Sequence, residues 1–179
     1  ALCNRIDRNT GGIVMAAKNA ETLRIMNQKI KDREIAKFYL AIIHGRMAPP
    51  QGKLEGFLLK DESRAQVKVF HKPVPGGKSA ATLYKTLKVN RGLSLVECEL
   101  LTGRTHQIRA QFAAAGHPLL GDGKYGRERD NKQYGRSFQA LYSYKLEFTF
   151  PTGAGILEYL RGRVFTVEKV DFVEEYFLQ

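Results

Sequence analysis

Residues 100–126 read LLTGRTHQIRAQFAAAGHPLLGDGKYG, and this stretch decides the fold because it carries a helix with both ends marked. Thr105 can cap the start, and Ile108, Phe112 and Ala115 form an apolar stripe. Gly116 suits the left-handed position after the last turn, and Pro118 stops continuation. Arg109 falls beside the stripe, where it can lie at the edge of a cleft. Before the helix, residues 102–109 crowd donors around its start, an arrangement in which backbone N–H groups and Arg side chains hold phosphates; an ordinary capped basic helix reads the same. After it, residues 121–126 satisfy GxGxxG literally. They follow a helix and Pro118 and run into the charged RERDNKQ, so the stretch reads as a structural loop and not as a dinucleotide site.

Working outward, residues 37–45 (KFYLAIIHG) are a continuous β-type apolar run ended by Gly, followed by a loop around Pro49, Pro50, Gln51 and Gly52. Further strands are expected at 66–70, 81–89 and 93–101, with turns at Gly76-Gly77 and Asn90-Arg91-Gly92, so the middle of the chain is a β meander. Residues 140–150 alternate, which places Ala140, Tyr142, Tyr144, Leu146, Phe148 and Phe150 on one face of a half-buried strand. Towards the N-terminus, Asn19 caps a helix carrying Leu23, Met26 and Ile30 through about Glu34. Ahead of it, Asn9, Thr10, Gly11 and Gly12 form a loop entering a strand at 13–17. Beyond Pro151 come short β-like runs such as 163–167 among acidic residues.

The 179 residues and 20.2 kDa fit one domain, expected over residues 1–179. Apolar residues make up 43 % and charged residues 26 %, which are globular values, and no apolar run is long enough for a membrane helix. Residues 1–150 hold 26 Lys and Arg against 13 Asp and Glu, whereas residues 151–179 hold 3 against 5. The basic excess therefore belongs to the body. With a pI of 9.7 it suits a polyanionic partner or, equally, a solvated surface. Cys3 and Cys98 make no disulfide framework, and the four histidines lack the spacing of a metal site. The opening ALCNRID does not read as a signal peptide, which makes the cytoplasm the expected compartment.

Arg5-Ile6-Asp7-Arg8 sets a carboxylate between two guanidinium groups at a strand entrance, where ionisation is favoured; an exposed ion-pair cluster is the plainer alternative. Taken together, RIDRNTGGIVMAAKN, the Lys37-Phe38-Tyr39-Leu40-Ala41 element, the 100–126 segment and the closing strand 141–151 resemble the pseudouridine synthases of the RluA-like family, over essentially the whole chain. Asn4 stands where that family usually has His, Ile6 where it has Leu, and Gly11 where Ser is common. The family's catalytic domain normally begins some tens of residues before the aspartate motif, so the resemblance implies a domain incomplete at its N-terminus.

The resemblance implies an α+β fold with a mixed, mainly antiparallel bent sheet, flanking helices and a central basic cleft. It also implies isomerisation of uridine to pseudouridine within RNA, without metal or organic cofactor. Asp7 falls on the catalytic carboxylate, Arg109 on its cationic partner, and Tyr39 on the residue that stacks on the uracil. Ile108 matches an apolar residue packed against the base, and Arg5 the residue that fills the space left by the flipped nucleotide. Arg104, Thr105 and His106 lie in the matched motif as substrate-binding residues; Arg8, Lys18, Lys29, Lys31 and Arg33 are further candidates for phosphate contacts. The expected partner is structured RNA, ribosomal RNA first and transfer RNA second, bound by a cytoplasmic monomer with no membrane. A synthase that grips RNA without modifying it is the alternative.

Overall fold

The β meander is longer by one strand than the sequence suggests. The computed structural model describes residues 1–178, which form β1 (Gly11–Gly12), α1 (Ala20–Lys31), β2 (Ile35–His44), β3 (Gln51–Asp61), β4 (Gln66–Phe70), β5 (Lys78–Asn90), β6 (Leu93–Leu100), α2 (Gln107–Ala114), α3 (Glu128–Lys132), β7 (Leu141–Phe148), a 3-10 helix (Gly155–Leu160), β8 (Val164–Thr166) and α4 (Asp171–Phe177). The strands expected at 37–45, 66–70, 81–89, 93–101 and 140–150 and the two expected helices are present. β3 replaces the loop expected around Gln51 and Gly52, and α3 forms within the charged RERDNKQ loop. The strand expected at 13–17 is not formed: only a single bridge between Leu2 and Ala16 stands there, and the short β1 lies on Gly11 and Gly12, which read as a turn.

The strands make one sheet in the order β1-β7-β2-β6-β5-β3-β4, with β8 also on β7. Every pairing is antiparallel except the parallel contact of β1 with β7, which makes the sheet mixed and mainly antiparallel. β2 is hydrogen-bonded along both edges, to β6 and β7, and so lies in the interior of the sheet. Its odd-numbered residues Ile35, Tyr39, Ala41 and Ile43 face α1 and α2, where two apolar clusters form. One joins Tyr39, Ala41, Val96, Cys98 and Leu141 to Ile108 and Phe112 of α2; the other joins Ile35, Leu146 and Phe148 to Ile25 and Met26 of α1. On the opposite face Leu40, Ile42, Leu93 and Leu95 pack against Val170 and Phe172, the first turn of α4 and the residue before it.

The alternation read in 140–150 needs correcting. One step from Phe38 to Tyr39 on β2 matches two on β7, from Lys145 to Ser143, so Tyr144 is an extra residue, a β-bulge. The bulge reverses the alternation. Leu141 and Ser143 therefore share a face with Leu146 and Phe148, while Ala140, Tyr142 and Tyr144 turn to the α4 side. Both helix starts are also instructive. Asn19 caps α1 as expected, its Oδ1 accepting the Thr22 N–H at 2.8 Å. Thr105 does not cap α2; the helix begins after His106, which sits in the left-handed region at φ 55°. The Gln107 side chain takes over instead: Oε1 accepts the Arg104 N–H at 3.0 Å and the Thr102 hydroxyl at 2.7 Å. Gln107 to Phe112 are all buried, polar residues included, whereas Ala115 is exposed and takes no part in a stripe.

Candidate active site

Asp7 opens a tight turn in which Thr10 N–H donates to Asp7 O at 3.0 Å and Asn9 adopts φ 67°, a left-handed conformation that Asn tolerates. The buried Gln139 ties this turn to the chain leading into β7, donating from Nε2 to Arg8 O at 2.6 Å and to Thr10 Oγ1 at 3.1 Å. Asn4 accepts the Met15 N–H at 2.7 Å and holds the segment ahead of Asp7. β1 then lies flat on β7, with Gly12 at φ 117°; a Cβ there would fall 2.2 Å from Ser143 O. Gly12→Ala is accordingly expected to cost on the order of 2 to 3 kcal/mol, the scale of overpacking, and to lower Tm while loosening the Asp7 turn. A thermal melt matching that of the unsubstituted protein would contradict this.

Asp7 faces a cavity of about 230 Å³ lined by Arg5, Thr10, Lys37, Tyr39, Leu100, Gly103, Arg104, Gln107, Ile108 and Leu141, among others. Tyr39 stands on β2, Ile108 on α2 and Leu141 on β7, so three elements bring an apolar wall to one carboxylate. Arg109 lies just behind it, 6 % exposed. Its Nη1 is 3.9 Å from Asp7 Oδ2, too far for a hydrogen bond but close for an ion pair. Its other edge is fully engaged, with Nε on Asp122 Oδ2 at 2.8 Å and Nη2 on Asp122 Oδ1 at 3.0 Å. Asp122, wholly buried, also accepts the N–H groups of Lys124 at 2.9 Å and Tyr125 at 3.1 Å. The Tyr125 ring lies under the guanidinium, 5.3 Å from ring centre to Cζ.

The electrostatics follow from these contacts. Burial alone would raise the Asp122 carboxyl, but the Arg109 fork and the two backbone N–H groups bring it below its ordinary 3.8. Burial works against the Arg109 charge, and Asp122 with Asp7 more than restores it. Burial pushes the Tyr39 phenol up, the Asp7 charge adds to this, and the Ser143 hydroxyl opposes it. His106 is pushed down chiefly by burial, with Arg109 and Lys124 adding and Asp7 and Asp122 opposing. The Tyr125 hydroxyl accepts the Val67 N–H at 2.9 Å and shares a hydrogen bond with His106 Nδ1 at 2.7 Å.

Of the residues expected from sequence, Asp7, Arg5, Tyr39, Ile108 and Arg104 line one cavity, and Arg109 completes it from behind. His106 stands one layer back, on Tyr125. Thr105 is exposed and opens on a different hollow beside Leu58 and Lys78. Lys29 is not available for phosphate: it is 3 % exposed and spent on Glu34 and Thr152. Asp122, Gln139 and Tyr125 were missed by sequence reasoning. The signal for Asp122 was present in principle, since an Arg on the buried side of a helix requires a counter-charge. A larger apolar hollow of about 500 Å³ around Met15, Met26, Leu146 and Phe148 offers only Cys3 and Tyr159 as titratable groups.

The profile of the family described as RNA pseudouridylate synthase matches residues 1–114. The chain belongs to this family. It is 35 % identical over 150 residues to an RNA pseudouridine synthase, YhcT, of Bacillus subtilis, covering 83 % of this chain and 47 % of that protein. It is 33 % identical over 153 residues to the ribosomal large subunit pseudouridine synthase C of Vibrio vulnificus, covering 84 % and 47 %. The chain thus spans about half the length of the curated relatives it matches. Human RNA pseudouridylate synthase domain containing 4 superposes with a TM-score of 0.75 at 20 % identity, over 96 % of this chain and 72 % of that one, which confirms the expected pseudouridylate synthase fold. Among the described residues no helix is long and apolar enough to cross a membrane.

Proposed function

We propose that this chain is an RNA pseudouridine synthase that isomerises uridine in structured RNA, with large-subunit ribosomal RNA as its first substrate and the cytoplasm as its compartment. The observation that carries the reading is the Asp7 carboxylate, backed at 3.9 Å by a fixed Arg109 guanidinium and facing a cavity walled by Tyr39, Ile108 and Leu141. That volume suits a single nucleoside. The target uridine leaves its stack, at a cost of a few kcal/mol, and enters with its ring against Tyr39 and Ile108. Arg5, exposed at the mouth, fills the gap in the RNA, and Arg104 holds backbone phosphate.

Asp7 then either attacks C1′, forming an ester bond that breaks again when C5 bonds to C1′, or takes the C2′ proton to give a glycal and later returns it; in both routes the N1–C1′ bond breaks and the uracil turns within the cavity. C5 bonds to C1′, the C5 proton leaves, and N1 takes up a proton. Atoms and electrons balance without a further reactant. The test is to incubate the chain with unmodified large-subunit ribosomal RNA transcript and read pseudouridine by carbodiimide treatment and primer extension. New stops are expected. RNA that is bound but never modified would overturn the reading and leave a non-catalytic RNA-binding protein.

A further inference from the structure

The chain contains two lysines set into its interior with opposite treatment. Lys29 is fully matched: Glu34 at 3.0 and 3.1 Å, the Thr152 hydroxyl at 2.8 Å and Thr152 O at 3.0 Å surround its ammonium. Lys37 is half-buried, and among the described residues its Nζ has neither an ion-pair nor a hydrogen-bond partner. Its cross-strand neighbours, Leu100 and Leu146, are apolar. An ammonium taken partly out of water without a counter-charge is a net cost, and burial lowers its proton affinity accordingly.

The position of that unmatched charge is informative. Lys37 lies two residues before Tyr39 on β2 and therefore on the same face. Its Nζ packs against Gly103, where a Cβ would approach it to 3.3 Å. Lys37, Leu100, Gly103, Arg104 and Ile30 line both the Asp7 cavity and an adjoining groove of about 570 Å³, so the ammonium sits at the seam between them. The groove adds Lys31 and Arg33 against a single acid, Glu99.

We infer that Lys37 is a phosphate anchor: its ammonium receives the RNA backbone phosphate next to the target uridine, where the strand passes from the groove into the Asp7 cavity. The inference rests on the synthase reading and assigns that site a further binding residue. A phosphate, unlike a uracil carbonyl, supplies the full charge that Lys37 lacks, and the neighbouring Arg104 guards the same seam.

Binding of a short stem-loop RNA with uridines in its loop, followed by fluorescence anisotropy across a salt series, tests this. Lys37→Met keeps the length of the side chain and removes the charge. It should weaken binding on the order of tenfold at moderate salt and flatten the log–log salt slope by about 0.7 to 0.9, the release expected for one phosphate contact. Lys37→Arg should keep the slope. Replacing single phosphates with neutral methylphosphonates should weaken wild-type binding at one linkage beside the target uridine, with no added loss in Lys37→Met. This second arm uses the folded wild-type protein whatever the variant does. An unchanged slope, or losses that add, overturns the anchor. The synthase reading is judged by uridine conversion and the anchor by binding, so either can fail alone.

Discussion

Asp7→Asn is expected to leave RNA bound and unmodified. The amide keeps the shape of the carboxylate but can neither attack C1′ nor take a proton, and removal of a reacting group of this kind costs at least about 10⁴-fold in turnover. The fold should be nearly indifferent. Asp7 is 3.9 Å from Arg109 with no hydrogen bond between them, and Arg109 keeps its main partner Asp122 at 2.8 Å in the variant. The measurement is a pair of assays on one preparation, primer-extension mapping for pseudouridine and anisotropy for binding. Retained conversion would remove Asp7 from the chemistry.

Asp122→Asn should damage both stability and turnover, because it strands a buried guanidinium. Breaking one side of a buried ion pair costs about 3 to 5 kcal/mol, which lowers Tm on the order of 10 °C for a domain of this size. The Arg109 fork would lose its anchor and drift toward Asp7, and a misplacement near 1 Å costs about 10²-fold in rate. Asp122 is a positioning residue, so kcat should fall much more than KM rises. The pH dependence has a fixed sign. Its folded carboxyl lies below 3.8, so its stabilisation is complete above that value and is lost as pH falls through the lower folded value. Between those two pH values the unsubstituted protein should lose stability steeply on acidification and Asp122→Asn should not. Equal Tm values at neutral pH would refute the role given to the fork.

The parts of this protein legible in its sequence are those governed by local signals. Asn19 announced α1, the Asn90-Arg91-Gly92 turn announced the β5–β6 hairpin, and the apolar run 37–45 announced the central strand. Resemblance supplied Asp7, Tyr39 and Arg109, which the fold brings to one cavity. The missed features depend on partners distant in sequence. β3 carries Lys53, Glu55 and two glycines and looks like a loop until β4 and β5 pair with it. Asp122 sits in a glycine-rich turn whose composition says nothing of the Arg109 it completes. Lys29 and Lys31, two positions apart on one basic helix, meet opposite fates because Glu34 and Thr152 enclose the first.

The bulge at Tyr144 lets a single strand answer to two masters. A regular strand that turned Leu146 and Phe148 toward α1 would send Leu141 and Ser143 to the α4 side, away from Tyr39 and Asp7. With the parity reversed midway, the first half of β7 is free to vary with the cavity it walls and the second half with the helix it must support. Deleting this one residue would merge the two constraints, and no substitution elsewhere in the strand could separate them again.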